Sequence, residues 1–474
     1  MEKAREKTNW NYLGKWVQPP LFTSYWRNFG ERDGYLALGL PEISGSLLYL
    51  DGHHLMLSRE VLLLEEGATK ALIEEDRGFF QKIFRESDRI TKNYLKFTQG
   101  MKFDGSSAGD VFREFSSKTD EMFCPWMAAF LLGPFVTRFL DLELEKENLI
   151  QMDLLSHFNL PRPTFLIQQE REVRAFKKQF EALEISHMLE EPPKRAITML
   201  MNTHPQLARG LKFHMAEYEW VGTHHCWGDP LTPERLFFQI REAINAPRAQ
   251  SREIAISGRL EYLISLVKEF AYWRQFCAEC SAIGLFRARG LLKEAASHLG
   301  IGYDDIIWLT KGEISKALEK NSRQPLAKVR GRRKIYGYFP DGEGEEVIGG
   351  GKVTQLIARL VPKFDFEQKQ LYGTVGSMGE AKGRVFVAFT PLEAIPMRKG
   401  DILVVPQTTP DYVMVMKKAA AIVTDEGGIT CHAAIVSREL GIPCIVGTKI
   451  GTSMLKTGDR VEVDANRGII RKLD

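Results

Sequence analysis

The sequence predicts a multidomain protein in which a mostly α N-terminal region precedes a small α/β domain. Three observations carry this prediction. Apolar residues recur at helical spacing through the first two-thirds of the chain, and composition shifts near residue 321. From about residue 366, short β-branched runs alternate with glycine turns and helical segments. The 474 residues correspond to roughly three domains at about 150 residues each. The expected boundaries are a helical region at 1–320, subdividing near 160–195, a linker or hinge at 321–365, and the α/β domain at 366–474.

In the first region Leu260, Ile264, Val267 and Ala271 are spaced by four, three and four residues, one face of an amphipathic helix. Similar spacing runs through 79–97 and 173–189. Pro161, Pro163, Pro192, Pro193, Gly228, Pro230 and Pro233 punctuate these helices. No repeat of fixed period occurs. The apolar stretch 127–136 is too short to cross a bilayer and is closed by Arg138. The charged start has no apolar signal-peptide core, and the expected location is the cytoplasm, with no membrane partner. Lys plus Arg is 64 against 61 for Asp plus Glu, a near balance that argues against nucleic acid as a partner. Six cysteines in so long a chain exclude a disulfide scaffold.

Between the two regions, the basic run 321–334 lacks interleaved aromatics and reads as a solvated linker or edge strand rather than a phosphate patch. Gly349-Gly350-Gly351-Lys352 fails the spacing of a nucleotide phosphate loop, because Glu346 stands where a glycine is needed, and reads as a hairpin turn. In the last region, strands are expected at 385–388, 402–405, 420–423, 444–446 and 460–463. Helices are expected at 411–418 and 431–440. Strand, helix, strand, helix, strand within about 50 residues implies βαβ units.

The stretch 424–438 carries the chemistry. A buried strand at 420–423 leads into Gly427-Gly428, where the backbone can turn sharply or approach a ligand. Thr430 reads as an N-cap, with the helix ending at Gly441 before Pro443. His432 then stands in the first turn of a helix behind a glycine loop. Helix N-terminal N–H groups and the positive end of the dipole favour a phosphoryl group there. A neutral imidazole is a competent nucleophile toward it.

Gly427-Gly428-x-Thr430-x-His432-Ala433-Ala434-Ile435-Val436-Ser437-Arg438 resembles, at every defined position, the phosphohistidine signature of the phosphoenolpyruvate-utilising enzymes. Gly376-Ser377-x-Gly379-x-Ala381-x-Gly383, Gly400-Asp401-Ile402-Leu403-Val404, Thr409-Pro410-Asp411 and Arg438-Glu439-Leu440-Gly441-Ile442-Pro443 resemble the flanks of that family's swivelling β/β/α domain. The resemblance covers residues 366–474. It implies that His432 is phosphorylated and that Gly427, Gly428, Thr430 and Arg438 hold the phosphate. Cys431, beside it, reads as packing. It further implies a phosphotransferase in which the histidine shuttles between sites on other domains. The earlier region, with Tyr272-Trp273-Arg274, Arg287, Arg289 and 304–310, is similar in layout to the helical substrate part of rifampicin phosphotransferase. Neither an ATP-grasp pattern nor a phosphoenolpyruvate-binding barrel is expected in the chain. The resemblance therefore implies ATP or phosphoenolpyruvate with Mg2+ as donor, held by a separate ATP-grasp protein or domain, with no cofactor on the histidine domain itself. The acceptor is expected to be a small molecule. The alternative is a phosphocarrier or regulatory protein using phospho-His432.

Trp220, His224 and His225, with Tyr218 and Trp227, cluster before a proline-rich turn and are candidates for the acceptor pocket, although such clusters are more often packed corners. Arg287 and Arg289 are candidate anion ligands. His53-His54 has no third metal ligand at useful spacing. Cys277 and Cys280 share a helix face with no second pair and read as core, so no metal site is expected.

Overall fold

The computed structural model describes residues 10–15, 19–25, 38, 47–58, 67, 69–74, 77–101, 108–149, 154, 158, 160–223, 228–243, 256–320, 326–341, 344–361, 369–389, 391–408, 412–429 and 431–473. Its longer helices are α1 (Arg77–Gly100), α2 (Ala108–Lys146), α3 (Phe165–Ala182), α4 (Pro193–Thr203), α5 (Pro205–Glu217), α6 (Pro233–Glu242), α7 (Gly258–Arg287), α8 (Arg289–His298), α9 (Lys311–Glu319), α10 (Leu326–Lys334), α11 (Gly351–Leu360) and α12 (His432–Leu440). Its strands are β1 (Trp10–Lys15), β2 (Leu47–Leu50), β3 (His53–Ser58), β4 (Tyr336–Asp341), β5 (Gly344–Gly349), β6 (Gln370–Tyr372), β7 (Thr374–Ser377), β8 (Glu380–Val387), β9 (Ile402–Val405), β10 (Ala421–Thr424), β11 (Cys444–Val446), β12 (Arg460–Asp464) and β13 (Ile469–Leu473). The chain forms two compact units, one of residues 1–151 and 255–365, the other of residues 152–254 and 366–474.

In the first unit the expected face of α7 is buried throughout, Leu260, Ile264, Val267 and Ala271 included. The apolar stretch 127–136 lies inside α2, which among the described residues is the one helix long and apolar enough to cross a membrane. More than half of its apolar window is buried inside the protein, as a core helix requires. Helices α1 and α7 touch where Gly284 leaves room for Tyr94. A Cβ at Gly284 would stand 2.4 Å from two atoms of the rigid phenol ring. Gly284→Ala is therefore expected to destabilise the first unit by about 1–3 kcal/mol, read as a lowered denaturation midpoint.

Four features of this unit differ from the sequence expectation. A five-stranded antiparallel sheet, ordered β1-β3-β2-β4-β5, joins the N-terminal strands to residues 336–349, with Tyr49 paired to Tyr338 and stacked on Tyr336 at 4.7 Å. Residues 321–365, expected as a linker, contribute α10, the β4–β5 hairpin and α11 to this unit. Within the basic run Arg332 is buried. It donates to Glu313 Oε1 at 2.7 Å and to the Trp308 carbonyl at 3.0 Å, so it is a structural cation rather than a solvated one. The glycine triplet is not the hairpin turn. Gly350, at φ +65°, turns the chain from β5 into α11.

In the second unit β8, β9, β10 and β11 run parallel, as the β-branched runs predict. The full sheet order is β6-β13-β12-β8-β9-β10-β11-β7, with the outer pairs antiparallel. Strand alternation sorts the side chains. Leu403, Val405, Ile422, Cys444 and Val446 pack with Val415, Met416, Ala434 and Leu440 of the helical layer. Their neighbours Ile402, Val404, Ala421, Val423 and Ile445 pack with Leu371, Val461, Val463 and Ile470 of the folded-over outer strands. Both faces of the central strands are covered, which is why they are continuously apolar. Helices α3 to α6 belong to this unit.

Candidate phosphoryl-transfer site

The loops that leave β9, β10 and β11 meet at the carboxyl ends of the parallel strands, where ligands bind in open α/β sheets. Asp425 is the anchor of that meeting point. Its buried carboxylate accepts from the Thr452 N–H at 2.9 Å, the Thr448 hydroxyl at 3.2 Å and the Thr452 hydroxyl. Its backbone N–H reaches the Val405 carbonyl at 3.2 Å, so one residue ties all three loops. Burial pushes its pKa up.

Beyond Asp425 the chain turns at Gly427, whose φ of +114° excludes other residues cheaply. A Cβ there would also stand 2.7 Å from Cys431 Sγ. Gly428 differs, because a Cβ added to it meets nothing within 4 Å: its side faces open space. The Gly428 carbonyl accepts from the Cys431 N–H at 2.9 Å, and α12 begins at the next residue. The N-cap is Cys431, one residue later than Thr430, and its side chain makes no capping bond. Gly441, at φ +65°, closes the helix as expected.

His432 is thus the first residue of α12, so its backbone N–H is one of the first-turn donors that the helix itself does not use. The residue is half-buried, and its Nδ1 lies 2.8 Å from Thr408 Oγ1, beyond the end of β9. When Nδ1 carries the proton and donates to Thr408, Nε2 holds the lone pair. Burial pushes the imidazole down to about 4, so the ring is neutral and nucleophilic at neutral pH. The folded value lies below the ordinary 6.5. This group's contribution to stability is therefore complete above pH 6.5 and is lost as pH falls toward 4. A ring titration by NMR is expected to give a midpoint near 4, and a midpoint near 6.5 would contradict the buried, Thr408-bound ring.

Arg438, on the same helix, donates from Nη1 to the Gly376 carbonyl at 2.8 Å, fastening α12 to β7. Thr430, and the Thr409-Pro410-Asp411 segment, lie outside the described residues, as do His224 and His225. Trp220 is buried, and its carbonyl accepts from Thr223 in a tight turn. Arg287 and Arg289 belong to the other unit. Arg287 donates to the Leu95 carbonyl and Thr98, and Arg289 lies over the Phe286 and Tyr303 rings. Trp220, Arg287 and Arg289 are each engaged by neighbours within their own unit. Cys277 and Cys280 are fully buried thiols whose pKa values burial pushes up, and no group of His, Cys, Asp and Glu among the described residues suits a metal.

Sequence reasoning missed Thr408, Asp425, Thr448 and Thr452. The usable signal was positional. Each follows a short apolar strand of a parallel sheet by a few residues, and the chemistry of such sheets gathers there.

Residues 397–468 match the family model described as PEP-utilising enzyme, mobile domain. The phosphoenolpyruvate synthase of Pyrococcus furiosus is 59% identical over 102 residues, 22% of this chain and 12% of that protein. That of Aeropyrum pernix is 58% identical over 99 residues, 21% of this chain and 12% of that protein. The chain spans less than a fifth of the length of the phosphoenolpyruvate synthases it matches. Among solved structures, aconitase X of Thermococcus kodakaraensis in its holo-form matches 23% of this chain and 100% of that chain, at 24% identity and a TM-score of 0.19.

Proposed function

We propose that this chain, whose residues 397–468 match the mobile domain of the PEP-utilising enzymes, is a phosphotransferase that relays a phosphoryl group through His432. The observation that carries the reading is a histidine at a helix N-terminus, behind an open glycine turn, with Nδ1 held by Thr408.

In the first displacement the Nε2 lone pair attacks phosphorus in line, an N–P bond forms, and the bond from phosphorus to the donor's leaving oxygen breaks. The proton on Nδ1 stays on Nδ1, shared with Thr408, so no base is needed. First-turn N–H groups of α12 stabilise the equatorial oxygens, and Gly428 leaves space for them. In the second displacement the acceptor attacks phosphorus and Nε2 leaves as a neutral ring nitrogen. The donor is ATP or phosphoenolpyruvate with Mg2+, held by a separate ATP-grasp or phosphoenolpyruvate-binding domain or protein. The acceptor is a small molecule.

The test adds ATP labelled at the β- or γ-phosphate, or labelled phosphoenolpyruvate, with Mg2+ to the purified chain, with and without host extract. Acid-labile, base-stable label at His432 that depends on the extract is the expected result. Extract-dependent label on serine, threonine or no residue at all overturns the proposal.

A further inference from the structure

We infer that Glu170 and Arg174 of α3 are positioning residues for His432: they clamp α12, which begins at His432, to the helical turn Val413–Met416, which follows the segment bearing its partner Thr408. The inference deepens the phosphohistidine reading and rests on it for its functional meaning.

Helix α3 lies in the segment 152–254, which interrupts the first unit in sequence yet is compact with the α/β sheet. Glu170 and Arg174 are one turn apart and share a face, with Glu170 Oε1 3.0 Å from Arg174 Nη2. From that face the two residues diverge. Glu170 Oε1 is 3.7 Å from Lys417 Nζ, and Arg174 Nη2 is 3.3 Å from Glu439 Oε2. Lys417 ends the helical turn Val413–Met416, which follows the loop bearing Thr408. Glu439 lies on α12, two turns or about 10 Å beyond His432.

Among the described residues the two elements share an apolar core, in which Tyr412, Val415 and Met416 cluster with Ala433, Val436 and Leu440. Such contacts resist separation but not sliding, since they are non-directional. The ion cluster adds direction. Lys417 and Glu170 side chains are 8% and 14% exposed, so moving one element past the other would strand a nearly buried charge. Burial first, then the neighbouring Arg174 and Lys177 charges, push the Lys417 pKa down, and burial with the nearby Glu170 pushes the Glu439 pKa up, so both charges depend on their partners. The platform is itself braced. Lys177 of α3 donates to the carbonyls of Arg241 and Ala243 at the end of α6, and Lys418 lies over the Phe238 ring of that helix. A consequence is that α3 travels with His432 and forms no opposite wall toward which the histidine swings.

The test compares the full chain with Arg174→Ala, Glu170→Gln and the charge-conserving Arg174→Lys. The exposed pair partner Arg195→Ala serves as control. Two readouts are taken: the ring 15N shifts of His432, which report its tautomer, and the rate at which potassium phosphoramidate labels the ring. Arg174→Ala and Glu170→Gln are expected to mix the tautomers and slow labelling by about tenfold. Arg174→Lys is expected to retain most of both, and Arg195→Ala to change neither. Lowered thermal stability with native 15N shifts and native labelling would overturn the clamp and leave these residues a structural role. The tautomer arm judges the clamp even if no biological donor ever phosphorylates His432, so the two readings fail separately.

Discussion

Replacing His432 by asparagine is expected to abolish phosphoryl uptake, from phosphoramidate or any biological donor, by more than about 10³-fold while leaving the fold intact. The asparagine amide falls near the Nδ1 position, so Thr408 keeps a hydrogen-bonding partner and the loop after β9 keeps its place. What disappears is Nε2, the atom with the lone pair. Circular dichroism and the denaturation midpoint should match the natural chain within error. Residual labelling above a thousandth of the natural rate would mean that another group accepts the phosphoryl.

The second large effect is expected at Asp425, which touches no reacting atom. Asp425→Ala leaves the Thr452 N–H and the hydroxyls of Thr448 and Thr452 without their acceptor in a buried site. The cost is about 3–5 kcal/mol, enough to unfold a marginal domain or release the loop 425–431. Asp425→Asn keeps an acceptor oxygen and the same volume and is expected to cost about half as much. Because burial raises the carboxyl's pKa, the charged form is disfavoured in the fold. Its stability contribution is fullest at low pH and is lost as pH rises through the folded value. The natural chain should therefore gain stability relative to Asp425→Asn as pH is lowered. Denaturant melts of the three proteins at several pH values, with His432 labelling alongside, measure both effects.

Much of the α/β domain was legible in the sequence because its signals are local. Strands β8 to β11 are short β-branched runs between glycine turns, and α12 is bounded by the glycine loop and by Gly441. The antiparallel strands β6, β7 and β13 were not, since Gly376 interrupts β7 and Arg471 and Lys472 dilute β13. Their place depends on partners far along the chain. The same distance hid the five-stranded sheet, in which β2 pairs with β4 across nearly 300 residues. At the site, His432 and the glycine pair were readable from order alone. Thr408 and Asp425 were not, because an isolated threonine or aspartate after a strand has many uses, and only the parallel register brings them together. The tie of Arg438 to the Gly376 carbonyl of β7 was hidden for the same reason, since it joins residues 62 apart in sequence.

The measurement that tests the central claim most directly is phosphopeptide mapping of this protein isolated from its own host at mildly alkaline pH, with His432→Asn expressed beside it. The account predicts a phosphoryl group on the peptide containing His432, lost on brief acid treatment and absent from the variant. A histidine that stays unmodified in the host, and also with labelled ATP and phosphoenolpyruvate in host extract, while phosphoramidate still labels it, would contradict the relay and leave a reactive ring without that function.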